Sequence, residues 1–162
     1  MSSIILIGMP GAGKSTIGVQ LAKVTAKDFV DTDLLIQLRE HKSLQQIIDE
    51  TDYLNLRRIE EEVLCDVDCD NHIIATGGSA VYSEQAMRTL KSLGPIIFLD
   101  VPLEELKSRI KNYERRGIAC KPDQNFSDLF NERNALYRRY ADHVVNCEGK
   151  SQDEIIAIIC SF

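Results

Sequence analysis

The 162 residues are one domain's length, enough to bury about two thirds of the unfolded chain's surface, and 44% hydrophobic with 27% charged residues is ordinary for a globular protein. A formal net charge of −6 argues against a protein that coats nucleic acid, because that binding neutralises phosphates with Lys and Arg. No apolar run approaches the roughly 20 residues of a bilayer span, and five cysteines without a C-x-x-C pair suggest neither a disulfide framework nor a zinc ribbon.

The chain runs from Met1-Ser2-Ser3 straight into an apolar strand, Ser3 to Gly8, without the features of a secretory signal, so a cytoplasmic, soluble protein is expected. The next residues, Gly8-Met9-Pro10-Gly11-Ala12-Gly13-Lys14-Ser15-Thr16, fit G-x-x-x-x-G-K-[ST] and open a helix from Lys14 to Thr25. Glycines let the backbone curl around a polyphosphate, so that the N–H groups of Gly11, Ala12, Gly13 and the helix start point at negative charge. Lys14 is expected to reach the β- and γ-phosphates of ATP, and Ser15 to ligate Mg2+, with Thr16 completing the nucleotide site.

A second strand, Phe29 to Asp31, ends in Asp31 and Asp33, two residues apart and so able to project toward the same side. Helical patterns follow at Thr32 to His41, Ser43 to Glu50 and Tyr53 to Asp68. Within the last, Arg57, Glu60 and Glu61 are spaced three and four apart, which from pattern alone reads as a surface ion-pair ladder. Cys65, Cys69 and His72 have a spacing that could hold a metal, but small buried hydrophobes explain Cys65, Cys69, Cys147 and Cys160 adequately.

The strand His72 to Ala75 leads into Thr76-Gly77-Gly78-Ser79, two glycines where a ligand could approach backbone or a plain turn form. A helix from Ser83 to Leu93, a strand from Pro95 to Asp100 and a helix from Pro102 to Lys111 come next. Glu104 and Glu105 in the first turn of that helix complement its dipole. Residues 113–125 read as a functional or mobile loop. Around it cluster Lys107, Arg109, Lys111, Arg115, Arg116 and Lys121, with Arg133, Arg138 and Arg139 beyond, either a solvated helix face or a site for an anionic ligand. A helix from Phe126 to Ala141, a strand from His143 to Asn146 and a helix from Ser151 to Cys160 close the chain. The alternation points to an α/β domain over residues 1–162, with a five-stranded parallel sheet flanked by helices on both faces.

In this order, the pieces resemble the shikimate kinase family from the first strand to about Asp142. There the phosphate loop is followed by D-x-D, F-R-x-x-E, G-G-G, a lid carrying arginine, and R-x-P-L-Y. This sequence offers Asp31-Thr32-Asp33, Leu56-Arg57-Arg58-Ile59-Glu60, Gly77-Gly78-Ser79, Arg115-Arg116-Gly117 and Arg133-Asn134-Ala135-Leu136-Tyr137. The resemblance implies a three-layer P-loop kinase fold with a mobile lid at about 113–125 and acceptor-binding helices at about 32–68, expected as a monomer. It implies transfer of the ATP γ-phosphoryl group to the 3-hydroxyl of shikimate, a step of aromatic amino acid biosynthesis, with Lys14, Asp33 and Arg116 as the catalytic groups.

It further implies that Arg57 and Arg133 grip the substrate carboxylate, that Asp33 meets ring hydroxyls, and that Gly77 and Gly78 bring backbone against the ring. Glu60 would orient Arg57 or contact substrate, Asp31 would hold Mg2+ through water, and Arg109 would stack on adenine. The sequence departs from the family pattern at Leu56, Ser79, Ala135 and the Gly117-Ile118-Ala119 that follows Arg116, which alters the pocket wall while keeping every charged contact. The competing readings are a kinase of gluconate or a nucleoside monophosphate on the same scaffold, and a non-catalytic nucleotide switch.

Overall fold

The fold is that of a computed structural model, which describes residues 2–110 and 117–162. Its elements are β1 (Ile4–Ile7), α1 (Lys14–Thr25), β2 (Asp28–Asp31), α2 (Thr32–Glu40), α3 (Leu44–Glu50), α4 (Tyr53–Cys65) and β3 (His72–Ala75). A 3-10 turn at Ala80–Tyr82 precedes α5 (Glu84–Leu93), β4 (Ile96–Asp100), α6 (Leu103–Arg109), α7 (Phe126–Tyr140), β5 (His143–Asn146) and α8 (Gln152–Cys160).

The strands form one parallel sheet in the order β2-β3-β1-β4-β5. Strands covered on both faces carry unbroken apolar runs, and the three central ones do so: Ile5, Leu6, Ile7, Ile73, Ile74 and Ile96 to Leu99 are all buried. After β1 the chain moves outward to β2, and after β3 it crosses to β4 on the other side of β1. Right-handed crossovers then place α1 and α5 on opposite faces. Accordingly α1 packs against the β2–β3 half and α8, while α5 packs against β1 and α4, and α7 against β4. The carboxyl end of β1, where the direction of crossover reverses, is the crevice in which an open α/β sheet binds ligands.

The helix starts follow from side-chain chemistry. Asp31, Ser43, Asp52, Ser83, Asn125 and Ser151 each accept a backbone N–H as N-cap, and Ser43 forms a full capping box with Gln46. At α1 the N-cap is Gly13, at a left-handed φ of 91° and with no side-chain cap. Its first-turn N–H groups are left to a ligand.

A second, smaller core cluster of Ile36, Ile47, Leu56, Ile59, Val63 and Ala119 ties α2, α3 and α4 to the segment after residue 117. Two expectations need correction. The helix read as extending to Asp68 ends at Cys65, and Cys160, expected to be buried, is exposed. Neither change moves the site.

Candidate active site

The loop after β1 wraps around the Lys14 ammonium, which donates to the carbonyls of Gly8 at 2.7 Å and Met9 at 2.9 Å. Lys14 is buried, and that desolvation draws its pKa down to about 8, with Asp33, Asp31 and Glu60 opposing the shift and Arg133 adding to it. The side chain therefore remains mainly cationic at neutral pH. Ser15 Oγ donates to Asp31 Oδ2 at 2.5 Å, and Oδ1 of the same carboxylate accepts the Asp33 N–H at 2.9 Å as the cap of α2. A hydroxyl and a carboxylate side by side at the phosphate loop are hard oxygen donors of the kind Mg2+ uses when phosphates and water complete its shell. The residues fit that ion.

Asp33, in the first turn of α2, and Glu60, on α4, meet at Gly77. A Cβ on Gly77 would stand well under 3.0 Å from Asp33 Oδ1 and Glu60 Oε2, so only glycine leaves the ledge open between the two carboxylates. Burial, reinforced by Asp31, raises the Asp33 carboxyl to about 6, with Lys14 and Arg133 opposing. Burial, reinforced by Asp33, raises Glu60 to about 7, with Ser79, Arg133 and Arg57 opposing. Glu60 is thus no rung of a surface ladder. It is buried and accepts the Ser79 hydroxyl, while Glu61 takes that of Ser83.

On the other side of the ledge the charge is positive. Arg133, at 1% exposure, is a buried cation rather than a helix-surface residue. Its Nη2 donates to the Ala119 carbonyl at 2.9 Å, and so does Nη2 of Arg57, also at 2.9 Å. Tyr82 joins the two: its ring lies 3.7 Å beneath the Arg57 guanidinium, and its hydroxyl accepts Arg133 Nε at 3.4 Å. Tyr137 bonds the Gly78 carbonyl at 2.6 Å and so fixes the ledge from below. Arg57 Nε is buried without a hydrogen-bond partner among the described residues. A paired cation with an unfilled donor is a site for an anion.

One cleft of about 620 Å³ contains these groups: Gly11 to Thr16, Asp31, Asp33, Glu60, Gly77, Gly78, Arg109 and Arg133 all line it. Arg57 does not line it, and joins its wall through the Ala119 carbonyl. Arg109 reaches the Gly11 carbonyl at 3.1 Å from the phosphate-loop end. Arg116 and residues 113–116 of the expected lid lie outside the described residues. The described remainder is docked, with the Gly117 N–H donating to Gln45 Oε1 at 3.0 Å.

Sequence reading missed Tyr82 and Ala119, which organise the arginines, and Lys150 and Gln152, which line the cleft after β5. The last two were findable, since every loop at the carboxyl edge of a parallel sheet borders the crevice. No helix among the described residues is long and apolar enough to cross a membrane.

A family model described as "Shikimate kinase" matches residues 10–162. Shikimate kinase from Clostridium botulinum (strain Eklund 17B / Type B) is 36% identical over 160 residues, covering 98% of this chain and 94% of that protein. The one from Aquifex aeolicus (strain VF5) is 34% identical over 159 residues, with the same coverage of 98% and 94%. Among solved structures, shikimate kinase from Acinetobacter baumannii in complex with shikimate superposes with a TM-score of 0.88 at 25% identity, covering 99% of this chain and 92% of that one. The Aquifex aeolicus enzyme gives 0.80 at 32% identity, covering 98% and 94%.

Proposed function

The chain belongs to the shikimate kinase family, and on that premise we propose that it transfers the γ-phosphoryl group of ATP to the 3-hydroxyl of shikimate, giving shikimate 3-phosphate and ADP. The observation that carries the reading is the division of charge about Gly77-Gly78 in the same cleft as the phosphate loop, with Asp33 and Glu60 on one side and Arg133 on the other, Arg57 being joined to Arg133 through the Ala119 carbonyl at the cleft's wall. A small acid carrying hydroxyls matches both halves. Its carboxylate takes the arginine forks, and its hydroxyls donate to the carboxylates. A monophosphate acceptor would bring its larger negative charge close to two carboxylates, and a nucleotide switch has no use for the arginine pair.

In this reading Lys14 and Arg116 oppose the negative charge that spreads over the transferred group, and no covalent intermediate is needed. Gly11, Ala12, Gly13, Ser15 and Thr16 hold the triphosphate, and Arg109 packs at the adenine end. Asp33 orients the acceptor hydroxyl and receives its proton. Ser15 and, through water, Asp31 would hold Mg2+, which would supply neutralisation of the triphosphate's charge.

Arg133→Lys tests the acceptor site. Lysine keeps the charge but loses the planar fork, so the KM for shikimate is expected to rise about 10- to 100-fold, the loss of one or two charge-assisted hydrogen bonds, with little change in the KM for ATP. An unchanged KM for shikimate, or equal rises in both constants, would count against the assignment.

A further inference from the structure

Ser79 stands at the end of the ledge where nothing in the backbone calls for a hydroxyl. Its φ of −93° and ψ of 3° suit any L-residue, and the turn it begins is closed by main-chain bonds, Ala80 N–H to Gly77 at 3.3 Å and Tyr82 N–H to Ser79 at 3.1 Å. The side chain instead donates to Glu60 Oε1, inside the protein, both residues being buried. The other oxygen, Oε2, faces Gly77 beside Asp33 Oδ1. One carboxylate oxygen is thus tied down and its twin is aimed at the ledge.

Building on the proposed acceptor site, we infer that Ser79 is a positioning residue for the phosphoryl acceptor: by holding Oε1 it fixes the Glu60 carboxylate so that Oε2 receives a hydroxyl of the bound acid above Gly77. The hydroxyl also favours the charged form of Glu60. Asp33 from α2 opposes its ionisation, while Arg57 on its own helix, Arg133 from α7 and Lys14 from the phosphate loop favour it, and the Tyr137 hydroxyl of α7 lies nearby. Burial dominates and leaves the carboxyl at about 7 even with the Ser79 bond pulling against it. Without that bond a larger share of Glu60 would be protonated at neutral pH, and the protonated form cannot accept through both oxygens.

The test uses Ser79→Ala and Ser79→Gly in the full chain, with shikimate as the varied substrate. In both variants the acidic limb of kcat/KM for shikimate should move up by about one pH unit, the order of a hydrogen bond to a charged group. The KM for shikimate should then be about tenfold higher at pH 6.5 and approach the wild-type value at pH 9, while the KM for ATP stays near its wild-type value at both. Agreement between alanine and glycine separates the hydroxyl from side-chain volume.

In the substrate-free protein, the carboxyl carbon of Glu60, assigned in the NMR spectrum through Glu60→Gln, should titrate about one unit higher in both variants. An unmoved acidic limb with an unmoved Glu60 midpoint would overturn the inference, as would a loss of activity equal at all pH values. If the wild-type protein phosphorylates only another hydroxylated acid, the shikimate assignment falls alone, and the same profiles measured with that acid decide the role of Ser79.

Discussion

Lys14→Ala is expected to lower the turnover of phosphoryl transfer by about 10²- to 10³-fold, the scale on which a donor aimed at developing charge contributes in a water-poor site. The side chain is buried and spans the loop from the Gly8 to the Met9 carbonyl, so the ammonium is both a charge and a brace. With nucleotide bound, the β- and γ-phosphates offer it better partners than two neutral carbonyls. Alanine removes the charge from the transition state and leaves the carbonyls without that donor. Thermal unfolding of the variant, measured without nucleotide, separates the two consequences: a folded protein that has lost turnover locates the effect in the chemistry. Turnover within about tenfold of wild type would contradict the assignment of the loop as the catalytic phosphate site.

Asp33→Asn is expected to lower kcat by about 10²-fold or more while raising the melting temperature. Asparagine keeps the size and an acceptor oxygen, so the acceptor still binds, but it cannot take up the hydroxyl proton. The stability gain has its own cause. Burial and Asp31 raise the Asp33 carboxyl from 3.8 to about 6 in the folded state, so folding opposes its ionisation. The native state therefore holds more protons than the unfolded one between about pH 4 and 6, and this contribution to stability falls as pH rises through that window. At pH 7 the wild-type protein bears the full cost and the amide variant does not. The comparison belongs in EDTA, where no metal offsets the charge. Unchanged kcat and KM would sink the role of Asp33, whereas lower activity with lower stability would point to a structural part for its charge.

The trade between activity and stability at Asp33 fits the arrangement of the whole cleft. Lys14, Asp33, Glu60 and Arg133 are charged groups set against the core, each offset in part by the others. Such groups are retained where a ligand needs them.

The strands and the phosphate loop were legible because their causes are local. Strands buried on both faces require continuous apolar runs, and G-x-x-x-x-G-K-S between such a run and a helix admits one backbone path. The burial of Glu60 and Arg133 was not legible from spacing. Arg57, Glu60 and Glu61 repeat at intervals that a surface ladder shares, and the buried Glu60 finds its partner in Ser79, 19 residues onward. Arg57 is held by a carbonyl 62 residues away, at a position whose side chain says nothing of a backbone contact. The resemblance to a family supplied what periodicity could not, the expectation that these arginines and carboxylates act together, and the structure brings Asp33, Glu60 and Arg133 to one cleft with Arg57 joined to it at Ala119. It could not supply the bond between Ser79 and Glu60, which arises at a departure from the family pattern.

In the proposed function the arginine pair and the two carboxylates select shikimate as phosphoryl acceptor. The most direct test of that selection is a coupled ADP-release assay with ATP and Mg2+, in which shikimate, quinate, gluconate and nucleoside monophosphates are each offered in turn. Rapid ADP release is expected with shikimate and little with the others or with no acceptor. Release that depends on another acceptor alone, or that needs no acceptor at all, would contradict that selection.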